Sequence, residues 1–189
     1  MIQHVAETDL VRLVKEGNRT AMRELYDRHI RYLTGVAARY VDDGELRDVL
    51  QESFVKIYTS IGRFEHRGVG SLRAWLTRIV VNVALDHLRQ GAKTSPFTQY
   101  EDLAEDTEPE MEDVAIEVIH RFIRELPPGY RTIFNLYVFE EQSHREIAQR
   151  LGISESTSAS QLHRAKALLA QKIKEYKKQK IRYRGSFKT

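Results

Sequence analysis

Apolar residues recur at spacings of three and four along two long stretches of this chain. In residues 22–40, for example, Leu25, Leu33 and Val36 share one stripe, and charged residues lie between them. Such a spacing places side chains on one face of an α-helix. Only 10 Gly and 4 Pro occur in 189 residues, and most of the Gly lie between the periodic stretches. Helices joined by short turns are therefore expected.

In the N-terminal half the period predicts four helices. A short one covers residues 9–16, and longer ones cover 22–40, 46–61 and 72–88. Ser71 precedes the last of them and is predicted to be its N-cap, because a serine hydroxyl can accept a bond from an unpaired backbone N–H. Together these helices predict one bundle.

In the C-terminal half the period resumes over residues 114–123. Pro127 and Pro128 then interrupt the chain and introduce a helix that runs through Val138, because proline is tolerated in the first helical turn but not inside a helix. Further helices follow, so the second domain is predicted to be helical too.

Residues 143–154 have the punctuation of a helix-turn-helix. Ser143 and Glu146 have the spacing of a capping box, Ala148 is small enough for two helices to cross, and Gly152 can take positive φ. Ser154 is then predicted to cap a long last helix. A plain helical hairpin is the alternative interpretation of the same spacing.

The two periodic halves are separated by residues 92–111, where the period is lost. Every charged residue from Glu101 to Asp113 is acidic, whereas from Lys172 to Lys188 only Glu175 interrupts the Lys and Arg. We therefore predict an all-α fold with two small helical domains. These are an N-terminal helical bundle at 1–91 and a C-terminal helix-turn-helix domain with a basic tail at 112–189, joined by a flexible acidic linker at 92–111.

The composition excludes several classes of protein. Apolar residues make up 41% and charged residues 30%, which is typical of a folded globular protein. There is no cysteine, so disulfides and thiol nucleophiles are excluded. The histidines are scattered, Gly68-Val69-Gly70 is a weak motif, and no catalytic motif is present. We expect no cofactor, no metal site and no enzymatic activity.

The N-terminal residues lack a signal-peptide pattern, and no stretch approaches eighteen apolar residues. We therefore expect a cytoplasmic protein without direct membrane insertion. The net charge of +3 and the pI near 9.1 are mild. They are weak support for a nucleic-acid partner.

Residues 48–58, Asp-Val-Leu-Gln-Glu-Ser-Phe-Val-Lys-Ile-Tyr, resemble a helix of the extracytoplasmic-function (ECF) sigma factors of bacterial RNA polymerase. In that family the helix docks on the clamp helices of the polymerase large subunit. The resemblance implies polymerase binding by the side chains that lie off the apolar stripe: Asp48, Gln51, Glu52 and Val55. A solvated helix face is the alternative.

Residues 64–89 are similar to the loop and helix with which the same family opens the −10 element of a promoter. Capture of a base flipped from a melted strand requires a mobile loop, a polar side chain for the base edge and cations along the backbone. Trp75 lies on the apolar stripe, where it suits a core position or a wedge against stacked bases. The resemblance implies −10 contacts by Phe64, Arg67, Gly68, Ser71, Trp75, Arg78, Asn82 and Arg89.

Residues 151–166 resemble the recognition helix that reads the −35 element. Small residues at its start suit entry into the major groove of duplex DNA. Ser158 departs from the family pattern, which commonly has a β-branched apolar residue there. The resemblance implies base-facing positions for Ala159, Ser160, His163 and Arg164, and phosphate contacts by Thr157, Gln161 and Lys166.

Taken together, the resemblance implies a bacterial ECF sigma factor that carries core polymerase to promoters and catalyses nothing itself. The implied partners are the polymerase clamp helices and flap, duplex DNA at −35, single-stranded DNA at −10, and an anti-sigma factor. The alternative is a regulator that binds duplex DNA without polymerase and uses its N-terminal bundle as a sensor or for dimerisation.

Overall fold

The computed structural model describes residues 6–91, 112 and 114–185. These residues form eight α-helices and contain no strand, so the predicted all-α class is confirmed. A 3₁₀ turn at Ile61–Arg63 follows the third helix. The helices are α1 (Glu7–Lys15), α2 (Arg19–Ala37), α3 (Asp43–Ser60), α4 (Ser71–Gly91), α5 (Ile116–Arg124), α6 (Pro128–Val138), α7 (His144–Leu151) and α8 (Glu155–Gly185).

The chain divides into two compact units, Met1–Ala92 and Lys93–Thr189. The predicted acidic linker at 92–111 lies outside the described residues. Among the helices of the described residues, none combines the length and the apolar composition that a membrane span requires.

The first unit is built around α2, α3 and α4, which pack on one another. Their predicted apolar stripes meet in the core, where Leu25, Leu33, Ile57 and Leu76 are fully buried. Burial of each such side chain contributes about 1.5–3 kcal/mol. The amphipathic helix α1 adds Leu10, Val11 and Val14 to this core, which fixes α1 on the surface of the bundle.

The second unit packs α5, α6 and α7 against α8. Ile133, Leu136, Ile147 and Leu169 are fully buried there. Pro128 lies in the first turn of α6, as predicted, because proline lacks an N–H group that this position does not need. The C-terminal helix α8 has 31 residues and continues to Gly185.

The helix-turn-helix punctuation is confirmed by the geometry. Ser143 and Glu146 form both bonds of a capping box at the start of α7, and Gly152 ends this helix at φ 69°. The Ser154 hydroxyl accepts a bond from the backbone N–H of Thr157 at 3.0 Å and so caps α8. Local sequence therefore fixes both ends of the turn.

Candidate functional site

Residues 64–70 form the loop between the 3₁₀ turn and α4, and we call them the 64–70 loop. Phe64 is buried at its start, whereas Val69 near its other end is fully exposed. Gly68 and Gly70 have φ of 109° and 85°, a region that glycine enters without a steric penalty. The loop therefore has one end fixed in the core and one end in solvent.

Ser71 is not the N-cap of α4, so that prediction is wrong. The first helical bond is donated by the N–H of Ala74 to the carbonyl of Gly70 at 3.0 Å, which makes Gly70 the capping position, where glycine is also favoured. The Ser71 hydroxyl instead closes the loop. It donates to the carbonyl of Gly68 at 2.7 Å and accepts from the N–H of Arg67 at 3.2 Å.

A cavity of about 390 Å³ opens between the 64–70 loop and the first turns of α4. Three arginines line it, Arg63, Arg67 and Arg78, together with the aromatic residues Phe64 and Trp75. Cations beside aromatic faces suit a ligand that is both anionic and planar. The cavity thus has the chemistry of a nucleotide site.

Trp75 lies at the boundary between the core and this cavity. Its ring centroid is 5.3 Å from that of Phe64, with an angle of 50° between the planes. Phe64 is buried, but Trp75 is partly exposed. The tryptophan therefore packs on the core residue Phe64 and also lines the cavity, and its role as a wedge against stacked bases stays a prediction.

Arg63 and Glu65 also line the cavity, although no sequence motif points to either residue. Glu65 forms a 3.1 Å ion pair with Arg67, and both side chains are more than 70% exposed. Such an exposed pair contributes at most about 1 kcal/mol. Arg67 can therefore exchange Glu65 for a phosphate at little cost.

Arg78, Asn82 and Arg89 are exposed on one face of α4. Their spacings of four and seven residues place them within about 40° of one another around the helix and over about 16 Å along its axis. Arg89 lies 3.3 Å from the carboxylate of Asp86. The row of these three residues continues from the cavity along the helix surface. Such a row suits the backbone of an extended single strand of DNA.

On α3, the predicted polymerase-binding residues Asp48, Gln51 and Val55 are exposed. Val55 is 57% exposed, although an apolar side chain gains by burial. The three lie at spacings of three and four, so they share one face of α3. This face is open to a partner.

Glu52 lies beside that face but is tied to neighbouring side chains. Its carboxylate accepts a bond from Lys56 at 2.8 Å and lies 2.9 Å from Nε2 of His87 on α4. The bond from Lys56 has the largest effect on the pKa of Glu52, and the bond with His87 has the next largest. Both hold this pKa below its ordinary value. The structure therefore gives Glu52 intramolecular partners as well as partial exposure.

The start of α8 presents the predicted −35 residues unequally. Ala159 is exposed, and Thr157, Ser160, His163 and Lys166 are partly exposed. The hydroxyl of Ser160 donates to the carbonyl of Thr157 at 3.1 Å. These side chains lie within about three turns of the N-terminal end of α8.

Gln161 does not fit its predicted phosphate contact, because its side chain is fully buried. It shares the buried stripe of α8 with Ser158, Leu162 and Ala165, which lie three residues before it and one and four residues after it. Arg164 is partly exposed, and its Nη1 is buried without a hydrogen-bond partner. In this conformation Nη1 is therefore not presented to a partner.

Known proteins match most of the chain. The model of sigma-70 region 2 matches residues 25–94, and that of sigma-70 region 4 matches residues 116–169. The ECF RNA polymerase sigma-E factor of Haemophilus influenzae is 31% identical, over 92% of this chain and 98% of its own length. The chain belongs to the ECF sigma factors of bacterial RNA polymerase.

Two other relatives of this sigma factor match over similar lengths. The RNA polymerase sigma-H factor of Pseudomonas aeruginosa is 30% identical, over 88% of this chain and 93% of its own. The ECF sigma-E factor of Escherichia coli K12 is 27% identical over 92% and 97%. The solved structure of CnrH in complex with the cytosolic domain of CnrY is 23% identical, with a TM-score of 0.47 over 88% and 96%.

Sigma factors of this family recognise promoters for transcription initiation, together with core RNA polymerase. The region 2 match includes α3, the 64–70 loop and α4, and the region 4 match includes the helix-turn-helix. Among the described residues, no group of His, Asp and Glu could hold a metal ion.

Proposed function

We propose that this sigma factor opens the −10 element by holding one flipped base in the cavity beside the 64–70 loop. The observation that carries this proposal is the cavity itself, which combines Arg63, Arg67 and Arg78 with the rings of Phe64 and Trp75. A flipped base stacks on aromatic side chains while cations neutralise its phosphates. Gly68 and Gly70 let the loop close over the base.

The exposed row on α4 extends this site along the melted strand. Asn82 offers a donor and an acceptor to a base edge, and Arg78 and Arg89 lie on the same face for phosphates. The strand would leave the cavity at Arg78 and pass Asn82 before it reaches Arg89.

For polymerase binding, we propose that α3 docks on the clamp helices through Asp48, Gln51 and Val55, with Glu52 at the edge of the contact. An exposed valine among polar side chains is typical of the centre and rim of a protein interface.

We place the C-terminal unit at the polymerase flap, on the basis of family resemblance.

For the −35 element, we propose that the first turns of α8 enter the major groove. Ala159, Ser160, His163 and Arg164 would face bases, and Thr157 and Lys166 would contact phosphates. The burial of Gln161 removes it from this set. It supports the position of α8 from the core side instead.

The domain boundaries are proposed as 1–91, 92–111 and 112–189.

We place the protein in the bacterial cytoplasm, where it acts without catalysing a reaction. From the family resemblance we also propose an anti-sigma partner. An anti-sigma factor would have to cover the α3 face or the −10 site to keep the protein from polymerase.

The experiment is initiation by a reconstituted holoenzyme. The purified protein is added to bacterial core polymerase and a library of promoter fragments, and specific transcripts are sequenced. Asn82→Ala is expected to bind core polymerase normally but to form open complexes poorly. Tight, specific duplex binding with no effect on initiation would contradict the proposal and favour a regulator that acts without polymerase.

A further inference from the structure

Helix α1 holds the start of the 64–70 loop at two points. The ammonium group of Lys15 donates to the backbone carbonyl of Phe64 at 2.7 Å, in a partly buried bond. The carboxylate of Glu7 lies 3.3 Å from Nε2 of His66, and both side chains are about one third exposed. Charge-assisted bonds of this kind are stronger than bonds between neutral groups.

The two contacts fix a direction for the loop. Lys15 is the last residue of α1 and Glu7 is the first, so they are about 12 Å apart along the helix. The loop touches the end of α1 at Phe64 and its beginning at His66. Residues 64–66, of which Phe64 and Glu65 line the cavity, therefore run in the opposite direction to α1.

Helix α1 is a firm support for these contacts. It buries Leu10, Val11 and Val14 in the core, so it cannot move freely relative to α2. Exposed loops otherwise open at low free-energy cost. A loop tied at Phe64 and His66 keeps the neighbouring Arg63 and Glu65 in the cavity wall.

His66 connects Glu7 to a later residue of the loop, Gly68. Its Nδ1 accepts a long bond from the N–H of Gly68 at 3.4 Å, while its Nε2 faces Glu7. A neutral imidazole with its hydrogen on Nε2 satisfies both contacts. Gly68 is in turn bonded to Ser71 through its carbonyl. A continuous path thus leads from Glu7 to the first turn of α4.

We propose that Lys15 and Glu7 of α1 are positioning residues for promoter opening, which act by fixing the 64–70 loop beside its cavity. This inference rests on the proposed function of the loop. Neither residue needs to touch DNA, because each acts through a loop residue. Sites on loops are precise only when supporting contacts hold them.

The test combines two measurements on Lys15→Met, Glu7→Gln and the double variant. The first is hydrogen–deuterium exchange of the loop amides in the free protein. The second is the rate of open-complex formation by the holoenzyme, followed by fluorescence of a base analogue at −10. We expect loop exchange to accelerate and opening to slow by about two- to tenfold per variant.

Arg12→Gln is the matched control, because Arg12 is exposed on α1 and pairs with Asp9 and Glu16 of the same helix. It should leave both measurements unchanged. Lys15→Arg keeps a donor, so its loop exchange and its opening rate should be close to those of the wild type. Binding to core polymerase and the thermal unfolding midpoint are recorded for each variant, so that loss of folding is distinguished from loss of positioning.

Unchanged loop exchange in the double variant would overturn the inference. Faster loop exchange with normal opening would also overturn it, provided that Arg78→Ala and Asn82→Ala slow opening in the same assay. Normal opening in those two variants would instead contradict the proposed −10 site. Slower opening that Lys15→Arg restores, with polymerase binding intact, would support the positioning role.

Discussion

Nδ1 of His144, the first residue of α7, lies 2.9 Å from the hydroxyl of Ser158 on α8. Ser158 is fully buried, so this bond crosses the interior of the helix-turn-helix. Tyr137 at the end of α6 stacks on His144, with 4.8 Å between ring centroids. The packing of α8, the helix that we propose reads the −35 element, therefore includes a polar contact at a position where the family commonly has an apolar residue.

Ser158→Ala removes this contact and leaves a partly buried imidazole nitrogen without its partner. We expect the C-terminal unit to lose about 1–3 kcal/mol of unfolding free energy, and −35 binding to weaken on every promoter. Urea unfolding and binding to duplex −35 fragments measure the two effects. Ser156→Ala, at an exposed position of the same helix, should change neither by a comparable amount.

Arg164→Ala tests base readout by α8. If Arg164 faces a base, the variant should lose roughly 1–3 kcal/mol of binding at one base pair and tolerate substitution there. Lys166→Ala should weaken all promoters equally and reduce the salt dependence of binding. Binding to a set of single-base variants of one promoter distinguishes them. An equal loss on every sequence would assign Arg164 to a phosphate.

The helix-turn-helix could be predicted because its signals are local. Ser143, Glu146, Gly152 and Ser154 act on backbone groups within four residues of themselves, so their spacing alone determines the geometry. The N-cap prediction for Ser71 rests on local signals too, and it is wrong. Gly70 can also occupy an N-cap position, and local sequence does not decide which of two adjacent favourable residues fills it.

The features that sequence could not reveal depend on tertiary packing. Arg63 and Arg78 line one cavity, although they lie fifteen residues apart in different elements. The resemblance implies a phosphate contact for Gln161, yet its spacings of three and four residues from Ser158 and Ala165 put it on the buried stripe of α8.

Protonation of His29 should destabilise the N-terminal unit. Burial is the largest effect on this residue and lowers its pKa below 6.5; Glu7 raises it, and Arg73 and Arg28 lower it further. The unfolded chain therefore binds the proton more readily, so stability is complete above about pH 6.5 and falls as the pH decreases. Urea unfolding from pH 8 to pH 5 should show this slope, and His29→Gln should reduce it.

His120→Gln serves as the comparison for that experiment, because His120 is exposed in the other unit. It should leave the slope of the N-terminal unit intact. A His29→Gln protein with the wild-type slope would show that another group in the unit accounts for the pH dependence.

A final prediction concerns the bond between Glu52 on α3 and His87 on α4. The bonds from Lys56 and His87 lower the pKa of Glu52 below 4.5, so their stabilising effect is present above about pH 4.5 and is lost as the pH falls through the lowered value. Glu52 is 42% exposed, which limits the effect to about 1 kcal/mol or less. Glu52→Gln should therefore unfold at lower urea than wild type at pH 7 and approach it near pH 3.

Asp48→Asn is the matched control, because Asp48 is an exposed carboxylate on the same helix. It should alter the urea midpoint less at pH 7. Both variants are also tested for binding to core polymerase at pH 7. If Glu52 only ties α3 to α4, Asp48→Asn should weaken polymerase binding more than Glu52→Gln does. The reverse order would make Glu52 a direct contact that must leave His87 when polymerase binds.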